Sequence, residues 1–218
     1  MRIRSFIIAY ALVLALLLFA DRRPGRAPGD RYSHVVDLTG APSAERGSRS
    51  ASTRMIPPAA LIPGTWSAGQ IPPERLIAPL VVMDLTTRAD QSSQITLADI
   101  AAWESKHGVV AQGAIVAIRR GGAADSLVTP LPITAEAAQF LMDARYVLGF
   151  LIETPSDLAS DRPLARRIAL HGSYVIDGAT GFSALPETGS LVIVAPAKIP
   201  ANKANGSEVP VRILAMVR

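Results

Sequence analysis

Residues 50–60 read Ser50-Ala51-Ser52-Thr53-Arg54-Met55-Ile56-Pro57-Pro58-Ala59-Ala60, and this short segment says more about the fold than any other part of the chain. Thr53 and Pro58 are residues that shape a turn, and the segment contains no histidine, cysteine or carboxylate. Four further segments surround it in a characteristic order: residues 34–39 (HVVDLT), 78–85 (APLVVMDL), 147–157 (VLGFLIETPSD) and 206–215 (GSEVPVRILA).

These five segments resemble, in order and in spacing, the landmarks of the cyclase family, which includes the bacterial kynurenine formamidases (arylformamidases). Residues 50–60 resemble the metal-binding signature His-x-Gly-Thr-His-x-Asp-x-Pro-x-His of that family, from which Thr53 and Pro58 are retained. The resemblance implies a compact, barrel-like β/β/α architecture, a homodimer, and metal-dependent hydrolysis of amide or ester bonds.

The positions that would hold the metal in this family have changed. The resemblance places Ser50, Arg54 and Ile56 in three ligand positions and Ala60 in the position of a proton-transferring histidine. The other ligand positions correspond to a histidine pair, now Ala165 and Arg166, and to a glutamate, now Asp177. Only ten residues separate Thr39 from Ser50, fewer than in the family. We therefore expect that zinc-dependent hydrolysis is lost and that no cofactor binds, with zinc or manganese expected only if the family chemistry survives.

Two arginines occupy these altered positions, and a guanidinium stays protonated and repels a divalent cation. If the fold is kept, Arg54 and Arg166 should face Asp177 across the former site, together with Glu153. Two interpretations follow: a salt-bridged cluster that closes the site, or a binding site for a small carboxylate or another anion. The first function hypothesis is accordingly a non-catalytic binding or scaffold protein.

The second hypothesis is a hydrolase of amide or ester bonds with a rebuilt site. The chain contains three histidines, of which His171 is the one that could approach the former pocket. Its place near the end of a predicted helix also fits a solvent-facing role at the helix C-terminus. The candidate catalytic residues of this hypothesis are Asp177, His171 and Glu153. A zinc hydrolase needs three or more ligands and one open position, so this set would have to be completed by other groups.

Hydrophobic periodicity predicts an α/β fold with a mixed β-sheet, and the family resemblance implies a single domain over residues 34–218. After Asp84, predicted helices and strands alternate. The helices begin at Thr96, at Thr134 and at Arg162; the strands cover residues 113–119, 147–152, 174–177, 190–196 and 211–217.

The N-terminus is typical of an export signal or a membrane anchor. Arg2 and Arg4 precede an uninterrupted apolar run over residues 6–20. Fifteen residues of helix span about 22 Å, less than the hydrocarbon core of a bilayer, which favours a signal peptide. We expect residues 1–20 to be a signal peptide or anchor, residues 21–33 a linker, and the protein to be exported, either periplasmic (extracytoplasmic) or membrane-anchored, with membrane contact only through this segment.

Charge and cysteine content exclude other classes of function. The formal net charge of +4 arises in residues 1–31, with six arginines and two aspartates, whereas residues 32–218 carry 16 basic and 16 acidic side chains. A nucleic-acid surface needs a clustered basic excess, so we expect no nucleic-acid binding. The absence of cysteine excludes disulfides, thiolate nucleophiles and cysteine-bound metals.

Overall fold

The computed structural model describes residues 32–40, 52–87, 94–120, 130–158, 161–199 and 207–218. The predicted signal or anchor, nearly all of the predicted linker, and Ser50 lie outside these ranges. Residues His34–Arg218 form one compact unit. No helix among the described residues is long and apolar enough to cross a membrane.

The described elements alternate between strands and helices from β3 to β6. In chain order they are β1 (His34–Asp37), β2 (Arg54–Ile56), α1 (Pro58–Leu61), β3 (Ile77–Asp84), α2 (Leu97–His107), β4 (Ile115–Arg119), α3 (Ala135–Arg145), β5 (Gly149–Ile152), α4 (Arg162–His171), β6 (Tyr174–Asp177), β7 (Ser190–Pro196) and β8 (Val209–Val217), with 3-10 turns at Ala68–Gln70, Pro73–Arg75 and Phe182–Ala184.

The strands form a closed, mixed β-barrel. Strands β3, β4, β5 and β6 are parallel neighbours. Strand β7 pairs antiparallel with β3 and β8, and β2 pairs antiparallel with β8 and β6, which closes a ring of seven strands. Strand β1 pairs antiparallel with the last part of β8. The predicted α/β domain with a mixed sheet is confirmed, and the closed ring agrees with the barrel-like architecture that the resemblance implied.

Capping residues define the helix starts that the sequence predicts. The Thr96 hydroxyl accepts a hydrogen bond from the Asp99 backbone N–H, and the Asp99 carboxylate accepts one from the Thr96 N–H. This reciprocal pair satisfies two backbone donors that a helix start leaves without partners. The side chains of Thr134 and Asp161 accept backbone N–H groups in the same way at α3 and α4.

Two strand starts were predicted too early, because turn and helix-end hydrogen bonds use those residues. Gly113 has a φ of 70° and lies in the turn before β4. The Val147 N–H donates to the Leu141 carbonyl and so closes the end of α3 before β5 begins. In contrast, α4, β6 and β7 have the predicted bounds.

Alternating side chains on the central strands fill two hydrophobic cores. On β4, Ile115 and Ala117 point into the barrel, where they join Phe182 and Ile213. Val116 and Ile118 point outward and pack beneath the helices. This alternation follows from the two-residue period of a strand.

The parallel strands give the barrel two distinct ends. We define the carboxyl end by the last residues of β3 and β6, Asp84 and Asp177, and the amino end by their first residues, Ile77 and Tyr174. In open α/β sheets, ligands bind outside the carboxyl ends of the strands. Three of the residues singled out from the sequence, Arg54, Asp177 and Glu153, lie at the carboxyl end.

Candidate functional site

An arginine–aspartate pair lies at the carboxyl end of the barrel. Arg54, the first residue of β2, is directly opposite Asp177, the last residue of β6. Its Nε donates to Oδ1 of Asp177 and its Nη2 to Oδ2, both at 3.0 Å. Parallel bonds of this kind fix the relative orientation of the two groups. The predicted facing of Arg54 and Asp177 is therefore present, as a bidentate ion pair.

Two further residues complete what we call the Arg54 cluster: Arg54, Asp177, Ser156 and Glu208. The Ser156 backbone N–H donates to Oδ2 of Asp177 at 2.9 Å. The third guanidinium nitrogen, Nη1, lies 2.9 Å from Oε2 of Glu208. Neither residue was predicted from the sequence, although Ser156 lies in segment 147–157 and Glu208 in segment 206–215, both of which resemble family landmarks.

Burial makes this cluster electrostatically strong. The Asp177 side chain is 1% exposed and that of Arg54 15%, whereas that of Glu208 is 39% exposed. Hydrogen bonds to Asp177 raise the pKa of the Arg54 guanidinium above its ordinary value, and they outweigh the opposing effect of burial. Arg54 therefore remains a fixed positive charge.

Thr53, retained from the family signature, ties together the backbone segments that present the cluster. Its hydroxyl donates to the Gly178 carbonyl at 2.7 Å and accepts from the Gly40 N–H at 2.6 Å. The side chain is almost fully buried. One hydroxyl thus holds the start of β2, the end of β6 and the segment after β1.

Two further positions assigned to metal ligands lie in apolar surroundings. Ile56 and Ala165 are buried in the same hydrophobic cluster between the barrel and the helices. Ala60 is exposed on α1. A metal centre of the family type does not fit these residues: two of its positions offer no donor atom, and a guanidinium already bonds the Asp177 carboxylate. No group of three or more histidine, cysteine or acidic side chains suited to a metal occurs among the described residues.

Of the two predicted cations, only Arg54 reaches Asp177. Arg166 is exposed on α4, and in the described part of the chain no hydrogen bond or ion pair joins it to Asp177. The neighbouring position, Ala165, is the one that α4 turns toward the core.

The three candidate catalytic residues do not lie at one place. Glu153 follows β5 at the carboxyl end, where its carboxylate accepts the Arg120 backbone N–H at 3.1 Å. His171 ends α4 before β6 begins, so it lies at the amino end, with Nδ1 2.9 Å from the Ser173 hydroxyl. The four residues of β6, Tyr174–Asp177, span about 10 Å of extended chain. His171 is thus at the opposite end of β6 from Asp177.

Burial and the nearby positive charge of Arg75 lower the pKa of His171, and the carboxylate of Asp143 acts in the opposite direction. His171 is therefore held neutral to a lower pH than an exposed histidine. Its environment depends on Arg75, at the amino end, and not on the Arg54 cluster.

A second ion pair at the carboxyl end has a structural role. Arg119 Nη1 lies 2.8 Å from Oδ2 of Asp84. The same guanidinium donates through Nη2 to the carbonyls of Phe182 and Leu185. Arg119 therefore fastens the 3-10 turn after β6 to the ends of β3 and β4.

Comparison with known proteins places these observations in a family. The family model named Cyclase matches residues 37–157, more than half of the chain. No protein in a search of curated sequences matches the chain.

Several solved structures share the fold. Isatin hydrolase A from Ralstonia solanacearum superimposes with a TM-score of 0.71 at 25% identity, covering 85% of this chain and 92% of its own. Isatin hydrolase A from Labrenzia aggregata, bound to benzyl benzoate, gives a TM-score of 0.68 at 25% identity, covering 84% and 93%. A structure described as a potential metal-dependent hydrolase with cyclase activity gives 0.63 at 20% identity, covering 85% and 98%. The resemblance inferred from the sequence is confirmed: the chain belongs to the Cyclase family, whose fold it shares with metal-dependent hydrolases.

Proposed function

We propose that this protein is a Cyclase-family domain in which an ion-pair cluster has replaced the catalytic metal centre, and that it acts as a non-catalytic binding or scaffold protein. The observation that carries the proposal is the bidentate pair between Arg54 and Asp177. It uses both oxygens of the one carboxylate that remains at a family ligand position.

The donor set supports the same interpretation. Hydrolytic zinc sites use at least three nitrogen or oxygen ligands and keep one position open for water. Here Ile56 and Ala165 supply methyl and methylene groups to a hydrophobic core. Arg54 supplies a positive charge where a cation would have to bind. Restoring a metal would require that this ion pair separates and that new donors enter an apolar region.

The cellular setting and the assembly belong to this proposal as well. The basic and apolar residues 1–20 favour export to the periplasm or anchoring to a membrane. Membership of the family favours a homodimer. The proposed ligand class is a small carboxylate, because its two oxygens can accept parallel hydrogen bonds from an arginine side chain that has no acidic partner.

Metal-dependent hydrolysis is the second candidate, and it is favoured by the likeness to the isatin hydrolases. A rebuilt site at Asp177, Glu153 and His171 would need His171 to move from the amino end of the barrel to the carboxyl end. The proposal of a non-catalytic domain requires no such movement.

Metal loading separates the two candidates. The full-length chain is incubated with Zn²⁺ or Mn²⁺, desalted, analysed for metal, and assayed with isatin and with an aryl formamide. Isatin hydrolase A from Ralstonia solanacearum, treated in parallel, serves as the positive control. We expect less than about 0.1 metal ion per chain and no hydrolysis above background, because a site without three donors does not retain a divalent ion. Stoichiometric metal together with chelator-sensitive hydrolysis would overturn the proposal.

A further inference from the structure

Arg75, at the amino end of the barrel, is a cation without a carboxylate partner among the described residues. It ends the 3-10 turn Pro73–Arg75 and is partly buried. Its Nη2 donates to the Gly172 carbonyl at 3.1 Å. Its Nε is buried and has no acceptor. A guanidinium offers five N–H groups, so most of its donors remain without a protein partner in the described part of the chain.

The surroundings do not neutralise this charge. Burial lowers the pKa of Arg75, and Tyr174 is the group that acts in the opposite direction. Burial also raises the pKa of Tyr174, so its phenol stays protonated, and its hydroxyl donates to the backbone carbonyl of Arg75. The charge of Arg75 also contributes to the lowered pKa of His171. An uncompensated, partly desolvated charge lowers the stability of a fold.

An exposed aromatic ring lies beside this cation. The Arg75 guanidinium carbon is 5.4 Å from the centre of the Trp66 ring. The Trp66 ring also lies over Gly172, where a Cβ would come within 3.2 Å of it. Trp66 is 39% exposed, and Leu170, two residues before Gly172, is 62% exposed. An exposed apolar surface thus lies beside a partly buried guanidinium.

We propose that Arg75 and Trp66 form a binding site for a small carboxylate with an apolar body. The guanidinium bonds the carboxylate oxygens, and the Trp66 ring packs against the apolar part. A single uncompensated cation matches a monoanion, and the planar donors of arginine suit a carboxylate. The site is at the opposite end of the barrel from the Arg54 cluster, whose guanidinium is already occupied, and it does not depend on whether the domain hydrolyses anything.

Titration of the full-length chain with benzoate tests the proposal, with tryptophan fluorescence as the readout and benzamide as the neutral analogue of the same shape. We expect saturable binding of benzoate and at least tenfold weaker binding of benzamide, because the charge-assisted bonds are lost. Arg75→Met should weaken benzoate binding at least tenfold. Arg212→Met, which removes an exposed cation on β8, should leave it unchanged. Equal binding of benzoate and benzamide, or of benzoate to the Arg75→Met variant and the parent chain, would overturn the proposal.

Thermal unfolding distinguishes a ligand-binding Arg75 from a purely structural one. We expect Arg75→Met to unfold within about 2 °C of the parent chain or above it, since it removes an uncompensated charge. If Arg75 served mainly to stabilise the fold through its hydrogen bond to the Gly172 carbonyl, the variant would unfold at a temperature several degrees lower than the parent chain. Trp66→Leu, at a partly exposed position, provides a second route to the same test. It should weaken benzoate binding about threefold or more, measured by calorimetry because this variant lacks the tryptophan beside Arg75, and unchanged affinity in that variant would contradict the proposed site.

Discussion

Arg54 illustrates how one side chain can close a ligand site. It places three nitrogen atoms against the carboxylates of Asp177 and Glu208, and the Ser156 N–H adds a further donor to Asp177. The buried carboxylate of Asp177 therefore has hydrogen-bond donors for both of its oxygens in the folded state. A buried pair contributes little net stability relative to apolar residues, but removing one partner leaves an expensive unpaired charge.

Substitution of Arg54 tests this balance. Arg54→Ala leaves Asp177 buried beside only one remaining donor, and we expect a loss of about 3–5 kcal/mol in the free energy of unfolding. Urea unfolding of the purified chain measures it. Arg212→Ala is the matched control, because Arg212 pairs with Asp37 at the surface, with side chains 68% and 44% exposed. It should cost less than about 1 kcal/mol. An equal loss in the free energy of unfolding for the two variants would mean that water reaches the ion pair of Arg54 and Asp177.

At the scale of elements, a partly buried ion pair joins two of the helices. Arg145 at the end of α3 makes two bonds to Glu104 on α2, at 2.7 Å from Nε and 3.0 Å from Nη2. The same carboxylate accepts the Val110 N–H after α2. The Arg145 guanidinium also lies 4.8 Å from the centre of the Phe140 ring. One carboxylate thus sets the spacing of two helix ends.

This pair predicts a defined dependence of stability on pH. The hydrogen bonds from Arg145 lower the pKa of Glu104 below its ordinary value of 4.5, with a further contribution from the Val110 N–H. A lowered folded pKa means that the stabilisation is complete above the unfolded pKa and is lost as the pH falls through the folded one.

Glu104→Gln should therefore destabilise the protein near pH 7, and its cost in the free energy of unfolding should become smaller at a second pH well below 4.5, as Glu104 of the parent chain becomes protonated. Urea unfolding of the variant and the parent chain at both pH values gives the comparison. We expect a cost of about 1–2 kcal/mol at neutral pH, in the range for a charged hydrogen bond. A difference between the two chains that is independent of pH would show that Glu104 acts through its shape and not through its charge.

At the scale of the whole molecule, the central strands belong to both hydrophobic cores. Phe150 on β5 packs beneath the helices, while Leu151, the next residue, points into the barrel. Strands β2, β3, β4, β5 and β6 each contribute side chains to both clusters, so loss of one core would remove part of the strand layer that supports the other. The closed barrel also leaves no set of strands that can separate as a unit.

We therefore expect one cooperative unfolding transition. Phe150→Ala removes a buried ring from the core beneath the helices, and Phe182→Ala removes one from the core inside the barrel. Each should cost about 3–5 kcal/mol. In both variants, unfolding followed by circular dichroism and by tryptophan fluorescence should coincide. Separate midpoints for the two signals would show that the cores unfold independently.

Short-range physics made the elements and the family predictable from the sequence. The capping pair of Thr96 and Asp99, the bounds of α4 and the order of the five family segments all depend on residues close together in the chain. The changes at positions 54, 56 and 165 could also be recognised from the sequence, because residue identity alone shows that these side chains offer no atom that could bind a metal. Predicting that Arg54 faces Asp177 required the family resemblance, because the two are 123 positions apart.

Contacts between distant segments were decided by the tertiary structure. The packing of α4 against the barrel directs Ala165 rather than Arg166 toward the core, and closure of the barrel places Glu208 beside Arg54. It also leaves Arg75 beside Trp66 with no carboxylate near it among the described residues. No local pattern encodes these outcomes, because each depends on how the strands join around the ring and on which face of a helix the core covers.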